Sequence, residues 1–349
     1  MIDHEALNTL ARSHVVPRAA QHFNRGGEIA VSSVIRTCAK VFDVIDPAHM
    51  VGTTIVLAPA TSDYAVDRSK GQPIVSLHSL LNYLQTGFVL EINPDTSAMF
   101  VWHYPPPFNI LQTSINAVVF AHHQGSEHFL IAKSKTHLPR LYAGRQSFFS
   151  RPSYITLEET LEFYRTRVVP NAECEILKQV WYCENKLFLK AKPEDNIRDS
   201  LIAFLRASLR FSAEVMPEQN VNPKNPVDIR VTFLFSPNPV ALIEIKWLGK
   251  SKSADDNITV SYNNSRAVQG ACQLINYLDS FSMSSHSLAK GYLVVLDGRR
   301  AKLNRNSKYI EVEHGLRYRD SEIVLPTELS KRCAHSLSVI RMFAPPKCI

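Results

Sequence analysis

Apolar and polar positions are most sharply patterned between Pro226 and Trp247, PVDIRVTFLFSPNPVALIEIKW. Two apolar runs, Val227–Phe235 and Val240–Trp247, flank Ser236-Pro237-Asn238-Pro239 and predict a β-hairpin. Upstream, Ala213–Val221 reads as a further strand and Pro193–Phe211 as a helix. Pro193 suits the first helical turn, and Glu194 and Asp195 complement the dipole there. Glu194, Ile197, Leu201, Phe204, Leu205 and Ser208 share one stripe at helical spacing, whereas Asp195 and Asp199 fall off it. Downstream, Leu248–Ser265 reads as a polar loop and Arg266–Asp279 as a helix with two unlike faces. Ala267, Ala271, Leu274 and Leu278 form its apolar side; Arg266, Gln269, Gln273 and Tyr277 form the other. The unbroken apolar run Gly291–Leu296 predicts a buried parallel strand. Tyr309–Glu313 and Glu322–Leu325 read as edge strands and Leu329–Met342 as a closing helix.

The first half is patterned differently. Residues 1–25 have helical spacing that ends near Gly26-Gly27, and a second helix is predicted around Val34–Phe42. Thr53–Leu57 reads as a strand and Ser76–Tyr83 as a short helix. Phe88–Ile92 with Ala98–His103, and Ala117–His122 with His128–Ala132, read as two hairpins. Thr156 and Glu159 fit a capping box that opens a helix running to about Arg167. The expected class is α/β, with a mixed α/β or α+β domain at 1–185 and a second domain at 186–349.

Composition adds limits. At 349 residues the chain is long enough for two cores. A 45% hydrophobic and 20% charged content fits a globular protein. The six cysteines are scattered without a CxxC pair, so neither a zinc ribbon nor a disulfide framework is expected. With no signal-like N-terminus and no membrane-length apolar run, the expected location is cytoplasmic. The net charge of +7 points to a polyanion partner, and Lys290–Ile349 carries twelve Lys/Arg against six Asp/Glu. Lys250, Lys252, Arg266, Arg299 and Arg300 are the candidate phosphate contacts. Lys133–Arg151 interleaves Lys133, Lys135, Arg140, Arg145 and Arg151 with Tyr142, Phe148 and Phe149, a mixture suited to phosphate contact and base stacking. His122, His123 and His128 match no familiar metal spacing.

The hairpin carries the candidate chemistry. Glu244 and Lys246 are two apart and share a strand face. If Asp228 lies opposite Lys246 it joins that face, while Ile229, Val231, Phe233, Ile243 and Ile245 fill the other. A register slip of one residue would separate them. Two carboxylates and an ammonium suit Mg²⁺ (or Mn²⁺), a hard cation that keeps waters. The alternative is an ordinary hairpin with a surface ion pair.

Asp228, fifteen intervening residues, then Glu244-Ile245-Lys246 resembles the motif of the PD-(D/E)XK nucleases, with Val227 inserted between the motif's proline and aspartate. The order helix, strand, hairpin, helix, strand over 193–296 resembles their restriction-endonuclease-like αβββαβ core. The resemblance implies a metal-dependent nuclease acting on nucleic acid, DNA more than RNA. Asp228 and Glu244 would be its metal ligands, Glu194 an assisting acid with Asp199 in reserve, and Lys246 would position the water. Gln273 and Tyr277 resemble the QxxxY pair of RecB-like members, beside the substrate. Such modular nucleases commonly serve bacterial restriction or antiphage defence, and residues 1–185 would recognise substrate or other protein subunits, with oligomers possible. The rival expectation is a catalytically silent nucleic-acid- or partner-binding protein on the same scaffold.

Overall fold

The computed structural model describes residues 14–105, 109–138, 147–150, 153–171, 174–209, 213–222, 225–234, 239–285, 289–333 and 336–349. The chain divides into two compact units, Met1–Thr156 and Leu157–Ile349, each mixed α/β with its own mixed sheet. No described helix is long and apolar enough to cross a membrane.

The first unit is built on β1 (Thr54–Pro59), β2 (Gln72–Ile74), β3 (Phe88–Ile92), β4 (Met99–His103), β5 (Ala117–His123), β6 (Ser126–Ile131) and β7 (Ser134–His137). Their order is β2-β4-β3-β1-β5-β6-β7, with β1 and β3 parallel and the other neighbours antiparallel. Both expected hairpins are present. Alternation divides each central strand between two apolar layers. Val56, Phe88 and Phe120 join the layer under helix α1 (Val16–Val44); Ile55, Leu57, Val89, Val119 and Trp102 form the opposite one. The two helices expected before residue 44 are present within Val16–Val44, separated at Asn24, whose backbone is non-helical (φ 53°, ψ −141°), two residues before the expected Gly26-Gly27. Gly27 is needed for packing, since a Cβ there would lie 2.3 Å from the Ala19 carbonyl oxygen.

The second unit begins earlier than residue 186. Residues 157–185 belong to it: Phe163 stacks on Phe204 at 6.0 Å, and the Tyr164 and Ser200 hydroxyls are 2.7 Å apart. Helix α2 (Tyr154–Phe163) also starts before the expected capping box. Ser153 is its cap, its Oγ accepting from the Thr156 N–H, so Thr156 lies inside the first turn. Helix α3 (Pro193–Leu209) precedes β9 (Ala213–Asn222), β10 (Asn225–Phe233), β11 (Val240–Lys252), helix α4 (Asn264–Ser285), β13 (Ala289–Asp297) and β14 (Leu337–Phe343). The sheet order is β14-β13-β11-β10-β9, with β14 parallel to β13 and β13 parallel to β11. The expected polar loop after Trp247 is structured. β11 continues to Lys252 and pairs with β12 (Ile258–Tyr262) and with the short β8 (Leu189–Lys190). The C-terminal expectations fail in detail. Val312–Leu316 is helical, residues 322–325 form no strand, and the closing element is a short helix, Thr327–Cys333, followed by β14. In Leu337–Phe343 neighbour pairing along β13 outweighed a helix-compatible spacing.

Two further expectations concern the first unit. His122 is buried with its ring 5.4 Å from Phe42, and His123 lies beside the Thr53 hydroxyl. His128, half-buried, is pulled down to about 4 by burial and by Lys135 and His137, so it stays neutral. The three rings do not converge. Of the basic-aromatic stretch, Phe149 is wholly buried, 5.2 Å from Phe120, and is closed to a base. Arg140, Tyr142, Arg145 and Arg151 lie outside the described residues.

Glu127 is buried in this unit, accepting from the Ser147 hydroxyl and the Phe148 N–H. Burial raises its pKa from 4.5 to about 7 in spite of those bonds. A carboxyl whose folded pKa is raised binds more protons folded than unfolded, so stability falls as pH rises through that interval. The loss is on the order of 3 kcal/mol, complete near pH 7. Thermal melts of wild type and Glu127→Gln between pH 4 and 8 test this: the wild-type advantage should shrink as pH rises. A constant difference would mean that Glu127 does not titrate in the window.

Candidate active site

Four charged side chains meet where α3, β10 and β11 come together. Ile229 pairs with Ile243 and Arg230 with Leu242. One step further along that register, Asp228 falls opposite Glu244, not opposite Lys246 as expected. The discrepancy is two residues, so every side chain keeps its face. Ile229, Val231, Phe233, Ile243 and Ile245 are fully buried, as expected for the other face. The ladder is broken at this point: Asp228 Oδ2 accepts the Ile245 N–H at 2.7 Å.

Glu244 and Lys246 are 3% and 5% exposed. Charges that deep must be compensated. Lys246 Nζ lies 2.7 Å from Glu244 Oε1 and donates to the Ile245 carbonyl at 3.0 Å. Its aliphatic stem runs under α4. A Cβ on Gly270 would come within 2.7 Å of Lys246 Cγ, so only glycine lets the helix settle on the lysine. The compensation is incomplete, because Glu244 Oε2 is buried without a hydrogen-bond donor. Burial first, then the Asp228 charge, lifts the Glu244 carboxyl to about 7 against the pull of Lys246. Asp228 is also raised, by burial, with the Ile245 N–H and Lys246 opposing.

Glu194, in the first turn of α3, acts on both carboxylates through its charge. It is half-buried and bound by Arg266, whose Nη2 lies 3.1 Å from Glu194 Oε1. Arg198, one turn along α3, draws Asp228 the opposite way; sequence spacing did not single it out. Asp199 pairs instead with Arg198 at 3.9 Å.

Gln273 and Tyr277 do not form a solvent edge of α4. Tyr277 is 4% exposed and packs with Val227, Leu242, Leu274 and Leu293. Burial, then the charges of Glu244 and Asp228, push its hydroxyl up to about 12, so it stays protonated and faces the carboxylates. Gln273 is half-buried, and its Oε1 is enclosed without a donor.

The expected phosphate contacts are mostly spent on the fold. Lys250 donates to the Leu303 carbonyl at 2.6 Å. Lys252 is buried, donates to Asp256 and the Arg305 carbonyl, and lies 4.2 Å over the Phe188 ring. Arg299 pairs with Asp297, and Arg300 is buried, donating to the Ala344 carbonyl. All four are held by partners within the fold. Arg266 remains at the site, 4.8 Å over the Tyr262 ring.

Among the described residues no group of three His, Cys, Asp or Glu side chains stands close enough to hold a metal ion alone. The pair Asp228 and Glu244 still fits a hard cation that takes one or two carboxylates and leaves other positions to water and phosphate. The orphaned Glu244 Oε2 is the observation that fits best. Binding to the folded state alone stabilises it by mass action, about 2.7 kcal/mol at a hundredfold excess over Kd. Mg²⁺ or Mn²⁺ should therefore raise the melting temperature of the wild type, and Glu244→Gln should remove most of that shift. An equal shift in both would place the ion elsewhere.

The chain matches no family model, no curated protein and no solved structure, so what the site does must be argued from its geometry.

Proposed function

We propose that the second unit carries a restriction-endonuclease-like core and is a metal-dependent nuclease, hydrolysing phosphodiester bonds with DNA as the favoured substrate. The observation that carries this reading is the facing pair Asp228 and Glu244, with Lys246 on the same sheet face and Glu244 Oε2 left without a donor. The run α3, β9, β10, β11, α4, β13 supports the core assignment.

Each side chain then has a role. Asp228 and Glu244 would hold the cation, and Glu194 would assist them once Arg266 releases it. A divalent cation supplies Lewis acidity toward a phosphate oxygen and lowers the pKa of a bound water. Lys246, fixed at two points, orients the attacking water and offers positive charge to the phosphate as its charge builds. Tyr277, protonated, donates to a phosphate oxygen, and the Gln273 amide aligns water or phosphate from the same helix edge. Nothing in this set reads a base, so sequence selection is not among its tasks.

The test incubates the purified full chain with linear DNA, circular DNA and RNA, each with Mg²⁺ or EDTA. Cleavage should need the metal. Asp228→Asn, Glu244→Gln and Lys246→Ala should each lower it on the order of a hundredfold or more. Gln273→Ala and Tyr277→Phe should slow it severalfold. Undiminished cleavage by Glu244→Gln would reject the centre. Binding of nucleic acid without cleavage under any metal would favour a silent scaffold.

A further inference from the structure

A cavity of about 340 Å³ opens in the second unit with Glu194 in its wall. Its walls include Trp247, Tyr262, Thr259, Ser251, Glu194 and Arg266. The volume is at the lower end for small-molecule sites, the scale of a single nucleotide unit and not of a duplex. Trp247 is almost fully buried and supplies a fixed aromatic floor, 4.6 Å between ring centroids from the half-buried Tyr262. Both rings are placed by backbone pairing: Tyr262 is the register partner of Gly249 where β12 meets β11, and Trp247 is the partner of Leu296 on β13. Ser251 and Thr259 bring two hydroxyls 2.8 Å apart that can exchange their mutual bond for bonds to a ligand edge. Arg266 lines the same cavity and is tied to Glu194, whose charge acts on Asp228 and Glu244.

We infer that this cavity is a base-binding subsite: it takes one unpaired nucleobase against Trp247 and Tyr262, with the adjoining phosphate passing to Arg266 and then to the carboxylates. Aromatic walls accept any base, because every base has a π-face. A paired base cannot enter such a slot without leaving its stack. The chain should therefore prefer single strands, frayed ends or flaps over intact duplex. Arg266 also acquires a reason for its ion pair with Glu194: an arriving phosphate competes for the guanidinium and frees the acid. This inference rests on the nuclease reading above and adds its substrate form.

The experiment uses the full chain carrying Glu244→Gln, so that bound substrate is not consumed. Probes are a fluorescein-labelled oligothymidylate, the same length of abasic sugar–phosphate strand, and a duplex. Fluorescence anisotropy at fixed salt should rank the oligothymidylate well above the other two. Adding Tyr262→Ala should weaken oligothymidylate binding roughly tenfold and leave the abasic strand unchanged. Tyr262→Phe, which keeps the ring, should restore it; the abasic comparison needs no variant and stands if Tyr262→Ala misfolds. Equal affinity for the abasic strand and oligothymidylate would overturn the subsite while leaving Mg²⁺-dependent cleavage intact. Failure to bind any of the three probes, together with absent cleavage by the wild type, would overturn the nuclease reading itself.

Discussion

The second unit is arranged around an unbalanced charge set under a helix. Two carboxylates and one ammonium occupy adjacent positions on a sheet face shared with Leu242, Leu293 and Val295, and Arg230 lies two residues from Asp228 on the same face. A buried charge is tolerated when its partners are fixed, and here they are fixed by backbone. β11 is paired with β13 along nine consecutive positions, which sets Glu244 and Lys246 rigidly. β10 presents Asp228 at the point where its own ladder with β11 ends. A core built only for stability would replace the set with apolar residues of similar volume, because buried ion pairs seldom outperform good packing. Leaving one carboxylate oxygen unmatched is costlier still. That arrangement makes sense for a centre that meets another positive charge in use.

The same economy of position explains why the flanking lysines and arginines are elsewhere engaged. Lys250, Lys252 and Arg300 donate to the carbonyls of Leu303, Arg305 and Ala344, and Arg299 pairs with Asp297 at the end of β13. Their charge contributes to the net +7 while each is bonded within the fold. Net charge is a statement about a whole surface and does not say which side chains reach it.

What the sequence made legible was local and periodic. The strand face shared by Glu244 and Lys246 followed from a spacing of two, and the apolar stripe of α4 from Ala267, Ala271, Leu274 and Leu278. The exact partner of Asp228 did not follow, because strand pairing depends on a turn whose geometry the residues leave open. Tyr277 was misplaced for a related reason. It sits 100° around the helix from Leu278, and the width of the buried arc is set by how deeply α4 sinks, not by its own sequence. β12 was legible in principle: Ile258, Val260 and Tyr262 alternate with Thr259 and Ser261, but the surrounding Asp and Asn outweighed them. β14 was hidden, since its pairing with β13 is a long-range fact.

That depth has one origin. At Gly270 the absence of a single methyl group sets the gap between α4 and the lysine stem beneath it. The helix carries Gln273 and Tyr277, and the strand carries Lys246 and Glu244, so this gap acts as a spacer between the two halves of the site. Position 270 carries no functional group, yet its size fixes how far apart the helix and strand side chains are held. The reach of the centre is thus tuned by an atom that is missing, and the geometry could drift in evolution through a residue with no chemistry of its own.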